Sequence, residues 1–434
     1  MSPSLLPRRG FLGAFGAAIA APGLAQDAGF TLPAASGSGS GSGPIAADTA
    51  FWQAVRGLYD TDTSLANLEN GYWGIMARPV LAQYLRLTEK VNRENTAYAR
   101  TRFGADWQAA RAAVAAAAGF DVNEVALTRG ATEALQLLIS NYNRLRPGDA
   151  VLYADLDYDS AQYAMQWLAE RRGVQVVKIA LPEPATRQAV IDAYAAAFAA
   201  HPRLRLVLLT HLSHRTGLVI PVKEIAEQAR ACGIDVILDA AHSWGQLDVA
   251  PHTLGVDFIA FNLHKWIGAP VGMGCLRIAA HRLQDIDPQL GDQDHPRGSV
   301  ASRVHTGTLN FAAALTLPTA LALHQQIGTA AKAARLRHLR DLWVAQARRI
   351  PALEVLTPDE PGMSGGITAF RVRGQAAPQQ AAALATLLRE RYKVLTVARN
   401  GAASGACVRV APAIYTTEDD VLRLAAALRQ EFSV

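Results

Sequence analysis

The region between Val125 and Ile278 alternates short apolar runs with longer stretches of helical spacing. The predicted strands are 125–128, 150–154, 174–179, 204–210, 234–238, 258–261 and 273–278. The predicted helices between them are 132–142, 160–172, 189–199 and 223–232. Because such alternation is typical of parallel strands joined by crossover helices, we predict an α/β fold with a mainly parallel seven-stranded sheet.

The sequence changes character on either side of this region. Residues 46–105 predict N-terminal helices and an ordered pocket loop, because two glycines surround aromatic residues at 71–74. The large α/β domain is predicted at 106–310. After it, long helices rich in Ala, Leu and Arg alternate with short strands, which predicts a smaller α+β C-terminal domain at 311–434.

Residues 1–25 indicate processing and not folded structure. Arg8 and Arg9 precede an Ala- and Gly-rich apolar segment and a small-residue cleavage site at Ala25, an order typical of a twin-arginine signal peptide. The Ser/Gly alternation within 26–45 predicts a flexible linker. We therefore expect export of the folded protein by the twin-arginine machinery to the periplasm, with no stable membrane anchor after processing.

Composition argues against several classes of partner. The net charge is +5, or +3 without Arg8 and Arg9, and no basic cluster is present, so nucleic-acid binding is not predicted. Cys232, Cys275 and Cys407 stand singly in apolar surroundings. They are predicted to be buried hydrophobic residues, with neither a disulfide framework nor metal-ligand spacing.

Polar residues follow two neighbouring strands of the predicted sheet. Asp239 and His242 come after the first strand, and Asn262, His264 and Lys265 come after the second. Because ligands bind outside the carboxyl ends of strands in open α/β sheets, these side chains should share one crevice. Burial and neighbouring positive charge would lower the pKa of the lysine, and a neutral amine can form a Schiff base. A lysine that merely extends from a strand end to water is the simpler alternative.

Other segments add candidate contacts to this crevice. Gly130, Ala131 and Thr132 open a helix whose free N–H groups can bind phosphate, although Thr132 also fits a simple capping role. Tyr158 follows another strand and offers a flat aromatic face, or a core position. The polar run at 210–217 ends a further strand, and composition alone does not select which of its residues faces the crevice.

The residues alone leave a second enzyme class open. Asp239, His242 and His264 offer a carboxylate and two imidazoles, which are ligands for zinc in metal-dependent hydrolases. In that interpretation Lys265 would have no catalytic role.

Four motifs in this order resemble the class V aminotransferase family of enzymes dependent on pyridoxal 5'-phosphate (PLP), which have fold type I. The motifs lie at 130–133, 239–243, 262–265 and 307–310, within a resemblance that runs from Asn67 to the C-terminus. The similarity is to the branch of isopenicillin N epimerase and cysteine desulfurase. It implies a PLP-binding large domain, a homodimer, and an amino-acid-like substrate.

The resemblance also implies a role for each candidate residue. Lys265 would hold PLP as a Schiff base, and Asp239 would pair with the pyridinium nitrogen. The remaining implied roles are ring stacking for Tyr158, contact near the phenolic oxygen for His242 and Ser213, phosphate binding for Ala131, Thr132, Asn262 and His264, contact with the neighbouring subunit's phosphate for Thr308, and substrate binding for Arg409, Asn70 and Gly71.

The implied reaction takes place at the α-carbon of an amino acid, as epimerisation, transamination or C–S lysis. The loop at 399–406 contains no cysteine, and Cys407 lies within a predicted strand. We therefore predict that the enzyme is not a persulfide-type cysteine desulfurase, which needs a reactive thiol on a mobile loop. A non-catalytic binding protein with the same fold is the remaining alternative.

Overall fold

The computed structural model describes residues 45–432. The predicted signal peptide at 1–25 and the linker up to residue 44 lie outside the described residues, so both stay predictions. Within residues 45–432, no helix has the length and apolar character needed to span a membrane.

The described chain folds into helices and strands whose bounds follow. The helices are α1 Thr49–Arg56, α2 Arg78–Thr101, α3 Phe103–Ala118, α4 Ala131–Asn141, α5 Asp159–Arg172, α6 Arg187–Ala200, α7 Val222–Ala231, α8 Phe311–Leu315, α9 Leu317–Ile327, α10 Thr329–Ala347, α11 Pro378–Tyr392 and α12 Glu418–Phe432. The strands are β1 Ala66–Asn67, β2 Val125–Thr128, β3 Ala150–Ala154, β4 Gln175–Ile179, β5 Leu204–Thr210, β6 Asp235–Asp239, β7 Phe258–Asn262, β8 Gly274–Ile278, β9 Leu353–Val355, β10 Thr368–Val372, β11 Val394–Leu395, β12 Val397–Arg399 and β13 Cys407–Val410.

The central sheet has seven strands in the order β2-β8-β7-β6-β5-β3-β4. The strands from β3 to β7 pair in parallel, whereas β8 runs antiparallel to both of its neighbours. Separate clusters of buried side chains cover the two faces of this sheet. Burial on both faces explains why the inner strands appear in the sequence as continuous apolar runs. The predicted α/β fold with a mainly parallel sheet is confirmed.

Three chain segments leave this sheet at the same edge. Strands β6 and β7 are parallel neighbours that end at Asp239 and Asn262. Since β8 is antiparallel to both β7 and β2, strand β2 runs in the same direction as β7 and ends at Thr128 beside them. The chain then enters α4 at Ala131. This geometry brings the helix start and the two strand ends together.

The C-terminal part contains a four-stranded antiparallel sheet, in the order β12-β13-β10-β9. Strand β1 pairs with β11 in parallel, and a further bridge joins Glu69 to Ala411. The segment from Ala66 to Glu69, which the sequence places in the N-terminal unit, therefore lies against the C-terminal strands. The domain boundaries themselves stay predictions.

The cysteines lie in two kinds of environment. Cys275 and Cys407 are buried, as predicted. The prediction is wrong for Cys232, which is exposed. Cys232 is the C-cap residue of α7, just before Gly233, where the chain turns away from the helix. It therefore lies beyond the buried face of α7.

Candidate active site

A cavity of about 780 Å³ opens at the edge where β2, β6 and β7 end. Its walls come from both sheets and from the N-terminal loop. The predicted site residues that line it are Gly71, Ala131, Thr132, Tyr158, Asp239, His242, Asn262, His264, Lys265 and Arg409. The sequence-based expectation of one shared crevice is therefore met by ten of the candidates.

Lys265 is held close to His242. The lysine Nζ lies 3.0 Å from Nε2 of His242, and the indole N–H of Trp266 donates to Nδ1 of the same ring at 3.3 Å. Burial, followed by the charge of Lys265, places the pKa of His242 well below its usual value, so the ring is neutral. A neutral imidazole that accepts at Nδ1 carries its proton on Nε2. In the fraction of molecules whose Lys265 amine is uncharged, Nε2–H then donates to the lone pair of that amine.

The charge state of Lys265 agrees with this arrangement. Burial lowers the pKa of its amine to about 8, and the carboxylate of Asp239 opposes that effect. Arg409 and Arg399 lower the pKa further through their positive charges. An appreciable fraction of the amine is therefore neutral near pH 7, which is the state needed for nucleophilic attack on an aldehyde.

Asp239 is a buried carboxylate with one local hydrogen-bond donor. Its Oδ1 accepts the N–H of Ala241 at 2.8 Å, and its side chain is almost entirely removed from solvent. Burial raises the pKa of this carboxyl, while the Ala241 N–H and the positive charge of Lys265 act in the opposite direction. Asp239 is thus suited to bind a cationic N–H group in the cavity.

The start of α4 lines the cavity with Ala131 and Thr132, two of the residues predicted to bind phosphate. The Ala131 N–H donates to Oδ1 of Asn262 at 2.8 Å, so two of the four residues assigned to the phosphate contact each other and this N–H is already used within the protein. His264 bonds through Nδ1 to the Met273 carbonyl at 2.8 Å, which leaves Nε2 available. Thr132 adds a hydroxyl in the first turn, where the helix dipole favours negative charge.

Tyr158 lies at the N-cap of α5 and lines the cavity wall. Its ring contacts that of His214 edge-on, with 5.3 Å between ring centroids. His214 and Thr210 also line the cavity. Of the polar run at 210–217, these are the residues that face the cavity, a choice that composition alone could not make.

Ser213 does not line the cavity, which corrects the role assigned to it. Its side chain is fully buried, and its hydroxyl donates to the Leu156 carbonyl at 3.3 Å. The same oxygen accepts the N–H of Arg215 at 3.2 Å. These bonds stabilise the turn between β5 and Gly217, so the side chain is occupied inside the protein.

Asn70 also has a structural role and does not line the cavity. Its amide donates to the carbonyls of Asn67 and Ala411, and its oxygen accepts the hydroxyl proton of Tyr415 at 2.9 Å. These contacts fix the pocket loop to the C-terminal domain. Its neighbour Gly71 faces the cavity instead.

Thr308 is exposed and lies outside the cavity of its own chain. Contact with a neighbouring subunit's phosphate stays a prediction.

Arg409 is almost fully buried on β13, yet it reaches the cavity. It donates through Nη1 to the His214 carbonyl at 2.8 Å and through Nη2 to Glu69. A Cβ atom on Gly71 would lie 2.8 Å from Nη2, so a larger residue here would displace the Arg409 guanidinium. Glu69 and Arg399 were not among the predicted site residues, although Glu69 precedes the loop at 71–74 and Arg399 begins the loop at 399–406.

The zinc alternative finds no ligand set in the part of the chain that the structure describes. Among residues 45–432, no three His, Cys, Asp or Glu side chains are arranged to hold a metal ion. Nδ1 of His264 is bonded to the Met273 carbonyl, and both nitrogens of His242 contact Lys265 or Trp266. The arrangement of these side chains therefore suits an organic ligand better than a metal ion.

Comparison with known proteins identifies the family. The sequence pattern of the family described as Aminotransferase class-V matches residues 78–424. The chain belongs to the class-V aminotransferase family. Isopenicillin N epimerase of Streptomyces clavuligerus is 31% identical over 399 residues, which cover 87% of this chain and 98% of the relative. A probable cysteine desulfurase of Vibrio cholerae is 30% identical over 53% of this chain and 58% of the relative.

A solved structure supports the fold of this class-V member. A mutant of C-DES with glycine covalently linked to its PLP cofactor has a TM-score of 0.72 at 23% identity, covering 84% of this chain and 96% of the other. The predicted fold type I is therefore confirmed. The cofactor of this class-V protein is pyridoxal 5'-phosphate.

The residues of the cavity fit that cofactor. Lys265 provides an amine with a lowered pKa, Asp239 provides a buried carboxylate, and the start of α4 provides N–H groups beside Thr132. An aldehyde, a pyridinium nitrogen and a phosphate require these three kinds of partner.

The exclusion of a persulfide-type cysteine desulfurase is wrong. The relative from Vibrio cholerae is named a probable cysteine desulfurase and shares 30% of its residues with this class-V member over their aligned parts. The loop at 399–406 contains no cysteine, and burial raises the pKa of the Cys407 thiol to about 12. These two observations concern only one loop and one strand. They do not separate this chain from that group of enzymes.

Proposed function

We propose that this class-V enzyme moves a proton at the α-carbon of an amino-acid substrate, with Lys265 as the acid and base. The observation that carries the proposal is the contact between Lys265 Nζ and His242 Nε2 at 3.0 Å, with Trp266 fixing the imidazole from its other side. The contact holds an amine of lowered pKa at a defined place in the cavity. A base with a pKa near the working pH is the most effective one for proton transfer.

The other side chains position the substrate and balance its charge. When bound, pyridoxal phosphate supplies an aldehyde for covalent attachment and takes up the electrons left at the α-carbon. Arg409 binds the substrate carboxylate through its guanidinium, which borders the same cavity. Asp239 would bind the cationic ring nitrogen through its carboxylate, and Tyr158, which lines the cavity, would offer an aromatic surface.

Among reactions at this carbon we favour epimerisation, because the isopenicillin N epimerase relative aligns over 98% of its own length. C–S lysis is the second candidate, because a probable cysteine desulfurase is among the relatives and the cystine C–S lyase C-DES has the same fold. Both reactions begin with removal of the α-proton by Lys265 and diverge afterwards.

Borohydride reduction tests the role of Lys265. The purified protein, loaded with PLP and reduced, should carry the cofactor on the peptide that contains Lys265, and Lys265→Ala should carry none there. Label on another lysine, or none, would contradict the proposal.

Incubation of the loaded enzyme with L- and D-amino acids in deuterium oxide then separates the two reactions. Epimerisation gives α-deuterated product of both configurations, whereas C–S lysis of cysteine releases sulfide and pyruvate. α-Deuterium exchange should be lost in Lys265→Ala. Retained exchange in that variant would refute a base at this position.

We further propose that the enzyme is a homodimer and is exported to the periplasm. The exposed position of Thr308 supports the first proposal, and the pair Arg8-Arg9 before an apolar segment supports the second. Sedimentation measures the mass of the assembly. Fractionation of cells that express the native chain or an Arg8→Lys, Arg9→Lys variant tests the route, and equal periplasmic amounts would refute it.

A further inference from the structure

Two arginines share one carboxylate at the C-terminal side of the cavity. Nη2 of Arg399 lies 3.4 Å from Oε1 of Glu69, and Nη2 of Arg409 donates to the same oxygen. Arg409 pairs with Val397 across the antiparallel strands β12 and β13, so Arg399 lies two residues along on the same face. Both guanidinium groups line the cavity, while Glu69 lies behind them.

The charges at this end of the cavity do not cancel. Arg399 and Arg409 contribute two positive charges, and Glu69 contributes one negative charge. The nearby Arg215 is paired with Asp159 at 2.5 Å, so it adds no free charge. One positive charge is therefore left for a ligand, which matches a single carboxylate.

Burial makes this balance important. The side chain of Arg409 is 1% exposed and that of Glu69 is 14% exposed, so water screens their charges weakly. The second oxygen of Glu69, Oε2, is buried without a hydrogen-bond partner among the described residues. Arg399 is the more accessible arginine, with 27% of its side chain exposed. A second carboxylate that entered the cavity would contact Arg399, whose positive charge is already paired with Glu69.

We propose that Glu69 is a specificity-determining positioning residue, which restricts the site to amino acids with one carboxylate and an uncharged side chain. The inference rests on the proposed function, because it assigns Arg409 to the substrate carboxylate. Glu69 acts through the two arginines and touches neither substrate nor cofactor. Replacing it by glutamine leaves two uncompensated guanidinium groups and admits a dicarboxylate.

The test compares two simple carboxylates, propionate and succinate, by calorimetric titration of the PLP-loaded protein. The ratio of their dissociation constants is the readout. Glu69→Gln should shift this ratio towards succinate by about tenfold or more, because a freed arginine can pair with the second carboxylate. Glu69→Asp keeps the charge and should retain the wild-type ratio, and Arg399→Gln added to Glu69→Gln should remove the gain.

Glu124→Gln is a matched control. Glu124 pairs with Arg277 at 2.8 Å and its side chain is 15% exposed, nearly the same as that of Glu69, but it does not line the cavity. This variant should leave the ratio unchanged. A merely structural role of Glu69 would weaken both ligands equally, so an unchanged ratio in a folded Glu69→Gln protein overturns the proposal. A wild-type preference for succinate overturns it as well.

The experiment is separable from the test of the function. Binding of propionate and succinate requires no turnover, and borohydride labelling of Lys265 is scored independently on the same preparations. A shifted ratio without label on Lys265 supports the role of Glu69 and rejects the proposed function. Label on Lys265 without a shifted ratio supports the proposed function and rejects the role of Glu69.

Discussion

The amine of Lys265 should react at neutral pH far faster than an ordinary lysine. Burial, only partly opposed by Asp239, lowers its pKa from 10.5 to about 8. At pH 7 an amine with that pKa is about 10% neutral, against about 0.03% for an unperturbed lysine, which is a ratio of about 300. The difference corresponds to about 3 kcal/mol between the charged and neutral states. The lysine borders the cavity, so small reagents can reach it.

Competitive acetylation measures this pKa directly. The PLP-free protein is treated with limiting acetic anhydride over a pH series that spans both amine states, and each lysine peptide is quantified by mass spectrometry. The exposed Lys178, Lys223 and Lys393 serve as internal references. The rate at Lys265 should level off above about pH 8, where the references are still rising. In Asp239→Asn the midpoint should move to lower pH, because the carboxylate that stabilises the ammonium is lost.

A midpoint for Lys265 that coincides with those of the three exposed lysines would refute the reasoning. A midpoint that rises in Asp239→Asn would do so too, since it would mean that the carboxylate does not act on the amine. Reduced reactivity with an unchanged midpoint would indicate poor access of the reagent and not a changed charge state.

Three further changes test how the site is supported. Burial lowers the pKa of Lys332 from 10.5 to about 7, so unfolding takes up a proton between these values and stability rises with pH. Lys332→Met should remove this rise. The difference between the unfolding free energies of the variant and the wild type, measured with urea, should change by about 5 kcal/mol between the two pKa values. Asn262→Leu removes the acceptor of the Ala131 N–H, and should cost about 1–3 kcal/mol in unfolding of the PLP-free protein. A Cβ at Gly74 would lie 2.3 Å from the Lys265 carbonyl, so Gly74→Ala should lower the melting temperature and slow the labelling of that lysine. An unchanged value would contradict the burial of Lys332, the bond between Ala131 and Asn262, or the close approach of Gly74 to Lys265, respectively.

The strands of the central sheet and the place of Asp239 and Lys265 in one cavity were predictable because both depend on local pattern. Strands buried on two faces are continuous apolar runs, and the polar residues that follow them lie at one edge of a parallel sheet. Asp239 and Lys265 were found in this way. The prediction of their place required only the order of strands and their shared direction.

The C-terminal side of the cavity was less predictable, because it depends on contacts between distant segments. Glu69 meets Arg399 and Arg409 across 330 and 340 residues of sequence. No local spacing indicates that pairing. The choice between Ser213 and His214 failed for another reason: adjacent residues in a tight turn point in different directions, and composition does not reveal which one faces inward.

The pairing of β1 with β11 has a consequence for the order in which the enzyme is completed during translation. Lys265, Asp239 and the start of α4 are all synthesised before residue 280, whereas Glu69 must wait for Arg399 and Arg409. The loop closed by this pairing is long, and its entropic cost is met only when the last strands have formed. A nascent chain can thus possess the amine and its carboxylate partner before Glu69 meets the two arginines, so the proposed selectivity is the last property that it acquires.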